Sequence, residues 1–186
     1  ITVILITLRL LKSTQQNTYD GFFDPSNRYF QIAANASNKM VVVDTVTQKL
    51  EAMIDTASKP HPGPGANWND EKCGPVGGTT HLGVGKVTVW GNDPAGHKDQ
   101  AWKVCYTVDT DGAGVFLRTH PKSDYVWIDQ TKHPEPKIQQ SIKVLDKKTR
   151  KIVKTIQLTT KKGYAAVHFE FNKDGTEVWA SVWNRA

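Results

Sequence analysis

A tight turn running straight into a strand of aromatic and β-branched residues recurs three times along this chain, at 25–30 (PSNRYF), 121–126 (PKSDYV) and 173–178 (KDGTEV). The strands that come next recur as well. Residues 40–44, 87–93 and 142–146 each carry an apolar run into an aspartate, followed by a lysine-bearing turn and a further strand. Pro, Asn, Asp, Ser and Gly supply the turns, and short β-branched runs between them read as strands. Copies are spaced by about 50 residues, the size of a four-stranded propeller blade. A chain of 186 residues holds three to four such units. The expected fold is all-β: residues 1–186 form one partial β-propeller of four-stranded antiparallel blades, truncated at both ends. Propellers close with about 4–8 blades, so fewer than four would leave open sheet edges that a longer ring or a second copy must cover.

Helical periodicity is hard to find anywhere in the chain. The apolar run at 1–11 is broken by Arg9 and is about half the length that crosses a bilayer, so it reads as a strand and no membrane span is expected. A chain that opens inside a strand and stops just after another reads as a piece of a longer protein. Hydrophobic content of 38% against 23% charged residues fits a globular domain rather than a disordered one. The net charge of +6 would allow a polyanionic partner. However, Lys143, Lys147, Lys148, Arg150, Lys151, Lys154, Lys161 and Lys162 flank or alternate with apolar residues, which describes a soluble strand face and its turns. No aromatic-basic interleaving accompanies them, so nucleic acid is not expected as a partner. Cys73 and Cys105 lack zinc-type spacing; one disulfide or two free thiols both remain open.

Three histidines, His61, His81 and His120, each sit beside Pro or Gly at the edge of a strand-like run, where they can converge on one pocket or simply cap strand ends. His61, within PHPGPG, reads as loop architecture; His97 and His133 read as exposed turn residues. Strand alternation puts His168 on the face of Ala166 and Glu170, opposite Val167, Phe169 and Phe171. The six tryptophans mostly occupy strand positions and suit packing between blades.

Five segments carry a family resemblance: YDGFFDPSNRYFQIAANASNKMVVVD from Tyr19, KPHPGPGAN from Lys59, THLGVG from Thr80, THPKS from Thr119 and FNKDGTEVWASVWN from Phe171. In this order and spacing the chain resembles the middle and later part of the haem d1 propeller of cytochrome cd1 nitrite reductase. The resemblance implies about half of an eight-bladed propeller in the periplasm, with haem d1 iron in the central channel and nitrite reduced there to nitric oxide. It implies a haem c in a separate domain, for which this chain has no CxxCH motif. An electron-donor cytochrome or cupredoxin would deliver electrons through that domain, and the full-length protein is expected as a homodimer. The axial histidine of haem d1 would precede this chain, so no metal ligand is assigned here, and the chain alone is not expected to turn over.

By motif, the family's two distal histidines correspond to His81 and His120. Nitrite takes up one electron and two protons to yield nitric oxide and water, and imidazoles titrating near neutrality can both bind the anion and protonate its leaving oxygen. Gly83 and Gly85 would let backbone approach the macrocycle, and Arg28, Arg118 and Lys137 would pair its carboxylates. Lys137 stands where the family often has arginine. At His168 the reductases resemble one another in a polar residue such as glutamine, while haem d1-related paralogues have histidine. Two alternatives therefore stand beside the reductase: a haem d1 biosynthesis paralogue that binds haem d1 or its precursor, and a propeller serving as a non-enzymatic interaction module.

Overall fold

The structure is a computed structural model and describes residues 18–185. The expected strand at 1–11 lies outside the described residues. Strands β1 (Thr18–Phe23), β2 (Tyr29–Ala34), β3 (Lys39–Asp44) and β4 (Lys49–Asp55) form the first antiparallel sheet, in that order. The second holds β5 (Pro60–Asp70), β6 (Gly74–His81), β7 (Lys86–Gly91) and β8 (Val104–Asp109). The third holds β9 (Leu117–Thr119), β10 (Tyr125–Asp129), β11 (Ser141–Asp146) and β12 (Lys151–Gln157). A hairpin of β13 (Tyr164–Phe171) and β14 (Val178–Asn184) follows. The α-helix α1 (Pro136–Gln139) is a single turn between β10 and β11.

The repeats seen in the sequence are turn devices. Asp24 accepts the backbone N–H groups of Ser26 and Tyr29 (2.9 and 2.7 Å), Asp70 those of Lys72 and Cys73, and Asn172 those of Thr176 and Glu177. A short acceptor side chain at this point satisfies the tip of the first hairpin of a blade. Asp44 and Asp146, closing the third strands, do the same for Val46 and Thr149.

Contacts between blades run mainly through β1, β5, β9 and β13, so the first strand of each blade lies innermost, side by side with its neighbours around the axis. The second and third strands are buried on both faces, as their continuous apolar runs require: Val41, Val42, Val76, Val87, Val126 and Ile142 are all at most 1% exposed. Between the first two blades, Phe22 and Trp90 pack at 6.1 Å and the Trp90 indole N–H donates to Gln31 at 2.6 Å. Truncating a buried tryptophan of this kind typically costs about 3–5 kcal/mol. The outer strands β4 and β12 are largely exposed, with lysines among them.

Three readings are corrected. Lys143 is not a solvated lysine: it is buried on β11 and binds Asp111 and Thr155. Trp179 and Trp183 are exposed rather than packed between blades. At His168 the ladder slips, with Val167 opposite Ser181 but Phe169 opposite Ala180, and His168 takes a φ of 61°. That bulge breaks the alternation, so Ala166 and Phe169 share one buried cluster instead of facing opposite ways. Cys73 and Cys105 form a disulfide joining the β5–β6 turn to the outer strand β8.

Candidate functional site

At the end of the blades where the inner strands begin, a cavity of about 350 Å³ opens near the axis, lined by Asp20, His61, Val115, Phe116, Thr131, Lys132, Ala165, Val167, Trp183 and Arg185. All four blades contribute, the third through the segments that precede β9 and follow β10. His61 sits near the start of β5, where the ladder slips between His61 and Ala66 to accommodate the PGPG run. Its Nδ1 lies 2.9 Å from the Val115 carbonyl, which fixes Nδ1 as the donor and leaves Nε2 facing Asp20 at 3.5 Å. The Tyr19 ring is 6.5 Å from His61, Phe116 meets His61 edge-on at 6.0 Å, and His168 packs on Phe116 at 4.9 Å. Aromatic and imidazole rings thus form an arc from the first blade to the fourth.

Asp129 underlies this arc. It is fully buried at the end of β10 and accepts the backbone N–H groups of Val115 at 2.8 Å and Phe116 at 3.1 Å. Burial pushes its carboxyl up to about 7, against the pull of those N–H groups. Lys132 is exposed at the cavity, and Arg185 donates to the Thr131 carbonyl at 3.0 Å while its guanidinium lines the cavity.

The two histidines expected at the site are not brought together. His81 ends β6, opposite Pro60, and is fully buried; its Nδ1 lies 2.9 Å from the Lys86 carbonyl and its Nε2 3.3 Å from the Thr88 hydroxyl. Burial lowers it to about 4, so the ring is neutral at pH 7. His120 follows the last residue of β9, at the other end of the inner strands, stacks 5.7 Å from Phe171 and accepts the Lys122 N–H. A strand length separates the two.

The expected carboxylate partners are largely engaged within the protein. Arg28 binds Asp44 through two nitrogens and Arg118 binds Glu170 at 3.1 Å, while Lys137 on α1 is exposed and has no partner among the described residues. At Gly83 and Gly85 the close approach is to protein: a Cβ would lie 2.4 Å from the Ser58 hydroxyl and 2.5 Å from the Thr110 carbonyl. His97 pairs with Asp93, and the His133 ring accepts the Glu135 N–H, both in turns. The sequence singles out none of Asp20, Phe116, Lys132 and Arg185, and it offers His61 both as a member of a shared pocket and as loop architecture. The bulge written into PHPGPG was the available signal, since glycine-rich bulges tend to sit where a strand edge meets a ligand.

The family model described as Cytochrome D1 heme domain matches residues 7–186. The chain belongs to that family. A nitrite reductase of Stutzerimonas stutzeri is 40% identical over 203 residues, covering 97% of this chain and 36% of that protein. A dihydro-heme d1 dehydrogenase of Pseudomonas aeruginosa is 30% identical, covering 89% of this chain and 31% of that one. A solved dihydro-heme d1 dehydrogenase NirN in complex with DHE superposes with a TM-score of 0.74 at 28% identity, over 89% of this chain and 33% of that chain. A Kuenenia stuttgartiensis hydrazine synthase superposes at 0.67 with 15% identity, over 86% of this chain and 40% of that chain, and it shows the fold alone. The chain spans about a third of the length of the curated relatives it matches.

A cytochrome D1 haem domain implies a flat, carboxylated macrocycle, and the residues lining the axial cavity have the chemistry for one edge of it. Phe116, Trp183, Val115 and Val167 offer apolar surface, while Lys132, Arg185 and His61 offer cations or donors at its margin.

Proposed function

We propose that this chain is part of a nitrite reductase that forms nitric oxide, and that its axial cavity is one arc of the haem d1 pocket. When bound, the iron of haem d1 supplies the electron and the seat for the anion. His61 is the residue placed to handle protons. Its Nδ1 is fixed by the Val115 carbonyl, so Nε2 is the atom that takes up and releases a proton, with Asp20 3.5 Å away to pair the ring when it is cationic. Tyr19, on the same strand as Asp20, flanks the ring. Phe116 and Val115 exclude water and offer a face for the macrocycle, and Lys132 and Arg185 suit its carboxylates. The observation that carries this reading is the meeting of Asp20, His61 and Phe116 from separate blades at one axial cavity, with His168 packed on Phe116 behind it.

His168 favours a second reading, a haem d1 biosynthesis paralogue, because this imidazole also borders Phe116. Haem c, an electron-donor cytochrome or cupredoxin, a homodimeric assembly and a periplasmic location belong to the proposal for the whole protein. Among the described residues no helix is long and apolar enough to cross a membrane. The test titrates the full-length protein with haem d1 and follows nitrite consumption. Haem binding with nitric oxide release supports the reductase; binding with oxidation of a haem d1 precursor and no nitric oxide supports the paralogue. No binding leaves the interaction module and overturns both.

A further inference from the structure

The segment that carries the cavity's Phe116 ring is held by one buried group. Val115 and Phe116 precede β9 and Thr131 follows β10, yet all three direct backbone N–H groups at the Asp129 carboxylate, at 2.8, 3.1 and 3.5 Å. No cation among the described residues pairs with this carboxylate. An ionised carboxylate only accepts, with about four lone-pair sites, and so takes all three donors; a protonated one carries an O–H that must turn at least one N–H away. We propose that Asp129 is the positioning residue of the axial site: its ionised carboxylate holds the Phe116 segment, whose ring packs on both His61 and His168, and its protonation releases that segment and weakens macrocycle binding. This rests on the haem d1 reading of the cavity.

Burial raises the Asp129 carboxyl to about 7, which puts the change near neutral pH. The titratable and charged neighbours act in the opposite direction or stay constant. Any proton taken up by the imidazoles of His168 on β13 and His61 behind Val115 adds positive charge, which would strengthen binding of a carboxylated ligand. His81 behind Gly114 is neutral, Lys132 lies exposed beside Thr131, and Lys143 on β11 is paired with Asp111. A loss of affinity on acidification therefore has the sign of Asp129 alone.

The experiment measures haem d1 binding to the full-length protein between about pH 5.5 and 8.5 for wild type, Asp129→Asn and His61→Gln. One linked proton weakens wild-type binding about tenfold per pH unit below the midpoint. In Asp129→Asn that slope vanishes, while His61→Gln keeps it. Affinity that is flat or rises on acidification in wild type, or an unchanged slope in Asp129→Asn, overturns the proposal. The amide resonances of Val115 and Phe116 in the haem-free wild-type protein give a second readout that needs neither haem nor a folded variant. Their shift near pH 7 supports the clamp even where haem fails to bind, an outcome that sinks only the haem reading. Amides that do not titrate overturn the clamp.

Discussion

Arg150 and Asp70 lie 80 residues apart in sequence and meet across the seam between the second and third blades. Arg150 Nε donates to Asp70 Oδ2 at 2.9 Å, its Nη2 reaches the other carboxylate oxygen, and the guanidinium lies 4.5 Å over the Tyr106 ring. The same nitrogen is 3.8 and 3.7 Å from the sulfurs of Cys73 and Cys105. Asp70 has 1% of its side chain exposed, against 23% for Arg150. One residue from a turn of the third blade thus touches the hairpin tip, the disulfide and the outer strand of the second.

Arg150→Met should destabilise the protein by about 3–5 kcal/mol, because it leaves a buried carboxylate without its counter-charge. Burial raises the Asp70 carboxyl, but Arg150 and the N–H groups of Lys72 and Cys73 outweigh it and hold the group below its usual value. A depressed folded pKa contributes stability above the unfolded value, near 4, that is lost as pH falls further. Urea unfolding at pH 7 and below pH 4 checks both parts: the wild type loses this increment on acidification and Arg150→Met has none to lose.

Replacing both Cys73 and Cys105 by serine should lower stability by about 2–4 kcal/mol through the entropy of the opened loop. The bond spans 32 residues and ties β8 to the inner hairpin. Amide exchange in β8 should rise more than in β6 or β7. Equal exchange across the sheet would show that the bond contributes nothing local.

His61→Gln should lower nitrite turnover by about 10²-fold or more, the usual weight of a positioned proton donor, and its loss should exceed those of His81→Gln and His120→Gln. His81 is buried with both ring nitrogens engaged, and His120 lies at the far end of the strands. A ranking with His81 or His120 first would restore the assignment made from the THLGVG and THPKS motifs.

The blades were legible in the chain because their signals are local. Asp24, Asp44, Asp70 and Asp146 cap turns within a few residues of themselves, so each repeat carries its own turn chemistry. The site was not legible in the same way. His61 stands between two prolines and both it and His81 lie two residues before a glycine, so strand register is what separates their roles: His61 sits at a bulge of an innermost strand, while His81 ends a second strand buried between neighbours. Arg28 and Arg118 are cations near the right motifs, but their partners Asp44 and Glu170 are 16 and 52 residues away. The bulge at His168 depends on pairing with β14, which alternation along β13 alone cannot reveal.

Gly63→Ala should weaken haem d1 binding strongly while leaving the fold intact. Gly63 has a φ of 59°, where an L side chain costs about 1–2 kcal/mol, and an added Cβ would lie 2.3 Å from Cδ1 of Phe116. The ring must move, and it is the ring between His61 and His168. Gly163→Ala separates the two effects: φ is 81° there too, but the nearest heavy atom to the new Cβ is Asn184 Oδ1 at 3.8 Å. Both variants should still unfold cooperatively, Gly63→Ala at the lower temperature because it adds the clash to the shared backbone strain, and only Gly63→Ala should lose about tenfold or more in affinity, since a loss of 1.4 kcal/mol in binding is already tenfold. Equal binding by the two would mean that Phe116 does not touch the macrocycle, and the arc of rings would then be packing between blades rather than a wall of the site.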